Sequence, residues 1–143
     1  MPLQIDTEIC LIDHNISDKK YLISPAHRRN QRNKSQWVID METEVLCFVD
    51  SQLKLWVEDS CSWGIIKNGN SLQVLGVNTV QEDLKLAKFV SKNNNNIWHG
   101  YPADYCRNTQ DRPHMDILKK WREERLIEKH QIVKIKQGKP CNL

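Results

Sequence analysis

Side chains able to hold phosphates, stack on bases or move protons crowd into one stretch of the chain, where Trp98, His99, Tyr101, Asp104, Tyr105 and Arg107 follow one another closely. His99 can serve as general acid or base near neutral pH, with Tyr101 assisting as a phenolic donor. Tyr101 and Tyr105 can stack on a base, and Arg107 can hold a phosphate. Trp98, Asp104 and Tyr105 are the candidate substrate contacts beside them. A plainer reading exists for each: aromatic residues next to Gly100 and Pro102 serve packing, and His99 can cap a buried carbonyl. Gly100 and Pro102 punctuate the stretch, so residues 93–111 are predicted to form a shaped loop rather than a helix or a central strand.

A second cluster, His27-Arg28-Arg29-x-x-Arg32-x-Lys34, supplies positive charge. Arg28, Arg29 and Arg32 join Arg107 as candidate phosphate ligands, and His27 adds a second imidazole in contact with the substrate. Metal-independent cleavage of RNA needs a base, an acid and a cation for the pentavalent transition state. Histidine, tyrosine, arginine and lysine fill those roles without a bound ion. The alternative for this segment is a solvated loop that a partner protein orders.

Other chemistries find weaker footing. A zinc site would require His99, Cys106, His114 and His130 to converge, and their spacings match no standard ligand pattern, so neither metal nor cofactor is expected. Asp104, Asp111 and Asp116 offer carboxylates, but Asp111 and Asp116 have structural work at a helix start. Cys106 activated by His99 is a thiol alternative that the spacing permits without requiring. No Gly-rich phosphate loop, nucleophile elbow or dinucleotide fingerprint is present. The cysteines (Cys10, Cys47, Cys61, Cys106, Cys141) are scattered without a Cys-x-x-Cys pair, which argues against a disulfide framework and for buried thiols, with Cys141 the most exposed.

The elements that must position these groups follow from pattern. Residues 8–13 and 21–24 read as strands, and Pro25 opens a mobile basic loop to Ser35. Residues 36–41 and 44–50 read as successive strands, the second apolar on both faces as in a central strand. Residues 53–59 alternate, and Asn68-Gly69-Asn70 marks a hairpin. Residues 1–77 are therefore mainly strands, mostly antiparallel because the connections are short. Thr79 and Glu82 have capping-box spacing, and Val80, Leu84 and Ala87 share a helical face, which predicts an amphipathic helix over 79–92. Pro113 opens a C-terminal helical hairpin over 112–138, with Met115, Leu118 and Trp121 on one face, Ile132 and Ile135 on the next helix, and Gly138 as its stop. The expected fold is a single α+β domain over 1–143: an antiparallel meander, one packed amphipathic helix and the terminal hairpin.

Composition bounds the rest. At 39% hydrophobic and 27% charged, the chain is an ordinary globular sequence rather than a disordered one. No apolar run approaches the roughly 20 residues of a membrane helix, and the N-terminus lacks signal-peptide character, so a cytoplasmic protein without membrane association is expected. The net charge of +3 is unevenly spread: Lys19–Lys34 carries no acid, Asp40–Asp59 is acidic, and Arg107–Lys139 is basic again. This pattern favours RNA or another phosphate-bearing ligand lying between the basic segment and the Trp98–Arg107 stretch, with phosphodiester cleavage as the candidate reaction. The competing expectation is a non-enzymatic adaptor or inhibitor that holds a protein partner through the aromatic stretch and the basic hairpin.

Overall fold

A computed structural model describes residues 3–91 and 96–143. Its strands are β1 (Glu8–Leu11), β2 (Ile16–Leu22), β3 (Gln36–Trp37), β4 (Val57–Glu58), β5 (Cys61–Gly64), β6 (Lys67–Asn68), β7 (Ser71–Leu72), β8 (Gly76–Val77), β9 (Asp83–Leu84), β10 (Leu86–Ser91) and β11 (Ile97–Ala103). The helices are α1 (Met41–Leu53), α2 (Met115–Glu123) and α3 (Lys129–Gln137). The main sheet runs β1-β2-β11-β10-β5-β4, antiparallel except where β11 lies parallel to β2. Small sheets β3-β8-β9 and β6-β7 attach to it. This is the α+β architecture with a terminal helical pair that the pattern predicts, and among the described residues no helix is long and apolar enough to cross a membrane.

Two elements exchange identity relative to expectation. Residues 41–53 form helix α1, not strands. Asp40 caps it, its carboxylate accepting from the Thr43 amide at 2.7 Å, and Glu42 and Glu44 lie in the first turn where the helix dipole favours them. The run Val45–Val49 is apolar at every position, so helical and strand periods both fit it, and the cap decides.

Residues 79–91 form no helix. Asn78 Oδ1 accepts from the amides of Val80 and Glu82, Gln81 turns through the left-handed region (φ 65°), and the chain re-enters the sheet as β9 and β10. The Thr79–Glu82 capping box is absent because the Glu82 carboxylate bonds Asn78 and Arg107 instead. Strand β10 sends Ala87 and Phe89 to one side and Leu86 to the other, with both sides covered, so its apolar residues mimic a helical stripe. Lys92 and residues 93–95, the rest of that predicted helix and most of the amide run, lie outside the described residues.

The sheet separates two cores. On one side α1 packs Phe48 against Tyr21 and Phe89, with Trp98 alongside, at ring separations of 5.0–5.4 Å. Close approach is built in: a Cβ on Gly100 would stand 2.3 Å from the Phe89 ring. On the other side α2 and α3 bury Ile117, Leu118, Trp121 and Ile135 against Trp63, Leu86 and Ala103, with Trp121 edge-on to Trp56 at 5.7 Å. Helix α3 ends at Gly138 (φ 68°), the C-cap that the sequence signals. Cys10 is the exposed thiol, whereas Cys141 tucks against the Tyr105 hydroxyl at 3.4 Å.

Candidate functional site

Strand β11 overturns the loop expectation for residues 97–103. It is the third strand of the main sheet, and its alternation sorts the candidate residues by parity. Trp98 points into the α1 core and is only 6% exposed, so it is a packing residue and does not face a substrate. Pro102 seats β8, where a Cβ on Gly76 would come within 2.3 Å of it. His99 and Tyr101, of the opposite parity, line a cleft of about 540 Å³.

The basic segment forms the facing wall. A 3-10 turn, Pro25–His27, brings the His27 imidazole over Tyr101, the rings stacked at 5.2 Å and 20°. His27 Nδ1 lies 2.8 Å from the Ser35 carbonyl. A carbonyl only accepts, so Nδ1 carries the proton and Nε2 keeps its lone pair. Ser35 Oγ donates to the Pro102 carbonyl at 2.9 Å, tying this wall to β11. Burial pushes the His27 pKa below the usual histidine value, with Lys34 and His99 adding to the shift and the Ser35 carbonyl and Asp111 opposing it. His27 is therefore a neutral imidazole at pH 7 with an available base nitrogen.

The floor is a second 3-10 turn, Thr109–Asp111, held by the main sheet. Trp63 Nε1 donates to the Asp111 carbonyl at 3.0 Å, and Lys88 Nζ donates to the Gln110 carbonyl while lying 5.5 Å over the Trp63 ring. The Asp111 carboxylate, 2% exposed as a residue, accepts from Tyr101 Oη at 2.8 Å and from the Asp104 amide at 2.9 Å. Burial first, and then the Asp111 charge and its hydrogen bond, raise the Tyr101 pKa far above the ordinary phenol value. The phenol is thereby held in its protonated form, with its ring stacked on His27.

Asp104 is also a staple: its oxygens accept from Asn78 Nδ2 at 3.0 Å and from the Arg107 amide at 3.2 Å. Arg107 lies on the cleft rim, paired with Glu82 at 2.9 Å and Asp104 at 3.6 Å. Both Asp104 and Asp111 are committed to internal hydrogen bonds, and among the described residues no cluster of His, Cys, Asp and Glu could hold a metal ion.

Four other predicted site residues lie outside the cleft. Arg28 turns inward, away from the cleft. Its guanidinium donates to Glu44 Oε1 from Nε (3.1 Å) and Nη2 (2.7 Å) and to the Ile39 carbonyl. Glu44 is fully buried on the inner face of α1, where it also accepts a short hydrogen bond from Tyr21. Burial pushes its carboxyl up and the bonds from Tyr21 and Arg28 pull it back. Tyr105 is buried, its hydroxyl bonded to the Lys139 carbonyl at 3.0 Å. Arg29 lies outside the cleft, and Arg32 lines a groove continuous with it. Cys106 faces a separate depression with Cys141 and Pro140, so the thiol alternative beside His99 is not assembled in the cleft.

Sequence reasoning passed over Lys34 as an individual ligand, Asn78 as the hinge of one wall, and Asp111 as the anchor of Tyr101. Lys34 had a usable signal, the acid-free basic run; Asn78 and Asp111 act through contacts distant in sequence. Comparison of the chain with family models, with curated proteins and with solved structures found no match in any of the three.

Proposed function

We propose that this cleft binds RNA and cleaves its phosphodiester bonds without a metal ion. His27 Nε2 removes the proton from a ribose 2′-hydroxyl, whose oxygen attacks the adjacent phosphorus. The P–O5′ bond breaks as His99 delivers a proton to the leaving oxygen, giving a 2′,3′-cyclic phosphate and a 5′-hydroxyl. Lys34 and the rim cation Arg107 face the charge that builds on the phosphorane oxygens. Tyr101 and Asp111 hold the base in place, since the stacked ring fixes the plane of His27 and the Ser35 carbonyl fixes its tautomer.

The observation that supports this reading best is convergence. Two imidazoles and two cations from segments far apart in sequence line one cleft, and one of the imidazoles is locked in the tautomer a general base requires. The test is cleavage of a mixed-sequence RNA in the presence of a chelator, followed by liquid chromatography of the termini. His27→Gln and His99→Gln should each slow cleavage by about 10² or more while leaving the melting temperature near that of the parent. Full activity in either variant would remove that histidine from the chemistry. Failure to bind or cleave RNA even at low salt would leave the protein-partner alternative standing.

A further inference from the structure

The cleft does not end at Lys34. A groove of about 340 Å³ continues from it, sharing Lys34, Asn78 and Thr79 as a common wall and adding Arg32, Gln31 and Gln81. We propose that this groove is a second subsite, taking the next nucleotide of a single-stranded RNA whose scissile phosphate lies between His27 and His99. The inference rests on the cleavage reading above and adds the substrate class: a single-stranded oligomer rather than a mononucleotide or a duplex.

Charge and side-chain chemistry carry it. Among the described residues no carboxylate lines this groove, in contrast to the main cleft with Asp104 and Asp111. Its two cations lie on the same short segment as the candidate base, so a backbone that passes His27 meets Lys34 and then Arg32, the arrangement of a basic track. Asn78 and Gln36 are spent on internal bonds, and Asn30, Gln31 and Gln81 add amide side chains, which both donate and accept and so match base edges. In an A-form duplex those edges lie in the stack or in a deep groove, whereas an unpaired base presents them.

The walls are held before any ligand arrives. Gln36 bonds the Ala26 carbonyl at 2.9 Å and accepts from the Asn30 amide at 3.0 Å, fixing the basic segment. Asn78 fixes the opposing turn through the amides of Val80 and Glu82. A prearranged groove loses less ordering entropy on binding than a loose one.

The experiment measures fluorescence anisotropy with a labelled dinucleotide and a labelled hexanucleotide. Each carries a 2′-deoxy residue at the cleavage position so that neither is consumed. The protein should bind the hexanucleotide about tenfold more tightly. Arg32→Ser combined with Gln81→Ala should remove that advantage and lower the salt slope of hexanucleotide binding by roughly 0.7. A length advantage that survives the double substitution, or a duplex that competes as well as the single strand, overturns the subsite. Histidine-dependent cleavage of the unmodified dinucleotide with no length advantage in binding overturns the subsite alone and leaves the catalytic reading intact. No binding of either oligomer at low salt overturns both.

Discussion

The two faces of the main sheet are built to different ends, and β11 belongs to both. Toward α1, every side chain of the strand is spent on packing: Trp98 joins the ring cluster around Phe48, Gly100 lets Phe89 approach, and Pro102 seats the small sheet. On the opposite face, α2 and α3 cover only the end of the sheet that carries Trp63, Leu86 and Ala103. The uncovered remainder is walled by the basic segment and floored by the turn at Thr109–Asp111, and His99 and Tyr101 face it. A strand with one wholly buried face is fixed in register, because a slip of one residue would exchange Trp98 for His99 in the core. The closed face therefore positions the open one.

The arginines of the basic segment give the largest test of this division. Arg28→Ala would strand Glu44 as a buried carboxylate without its cation, on the closed side. A loss of about 3–5 kcal/mol in unfolding free energy is expected by denaturant titration. Arg29→Ala, one residue on and outside the network, should change stability by no more than about 0.5 kcal/mol. Similar effects from the two substitutions would show that the Arg28–Glu44 pair does not anchor the segment.

Parity along β11 supplies the next test. Gly100→Ala places a methyl 2.3 Å from the Phe89 ring and 2.8 Å from Tyr21 Oη, so destabilisation of about 1–3 kcal/mol by overpacking is expected. The neighbouring His99→Gln, of opposite parity, should melt close to the parent. Were Gly100→Ala neutral, the packing of that face would be looser than the distances state.

A smaller effect is expected for Lys34→Ser. Removal of one charged hydrogen bond to a phosphate should lower kcat/KM by about 10- to 100-fold, with stability within about 0.5 kcal/mol. An unchanged rate would take Lys34 out of the site.

How legible all this was in the sequence depended on the range of the deciding interaction. The terminal hairpin is set by local signals, with Gly138 as a left-handed cap and apolar residues at helical spacing, and those signals suffice. The asparagine-glycine turn between β6 and β7 is equally local. Helix α1 reads as a strand because the run Val45–Val49, apolar throughout, has no unique period, and strand β10 reads as a helix because both of its faces are covered. The cap that settles α1, Asp40 to Thr43, was present in the sequence but weaker than the apolar run beside it. For the site, His27, Lys34 and His99 were recognisable by type. That Arg28 turns inward while Lys34 lines the cleft depended on Glu44, which sits on an element read as a strand.

The smallest effect is the most specific to His27. Burial holds its folded-state pKa below the unfolded value of about 6.5, so the unfolded chain takes up the proton first. The stability His27 contributes is therefore fully present above about pH 6.5 and lost as the pH falls through the folded value. Many carboxylates also titrate in acid, so the quantity to measure is the melting temperature of the parent minus that of His27→Gln across pH 5–8. That difference should be flat at the alkaline end and decline on acidification from about pH 6.5. The same proton blocks the base, so the acid limb of the parent's kcat/KM profile should have its midpoint below about 6.5, at the folded value that the stability difference reports. A midpoint above 6.5, or a stability difference without slope, would mean that His27 is solvated as an ordinary surface histidine and that its wall of the cleft is not closed over Tyr101.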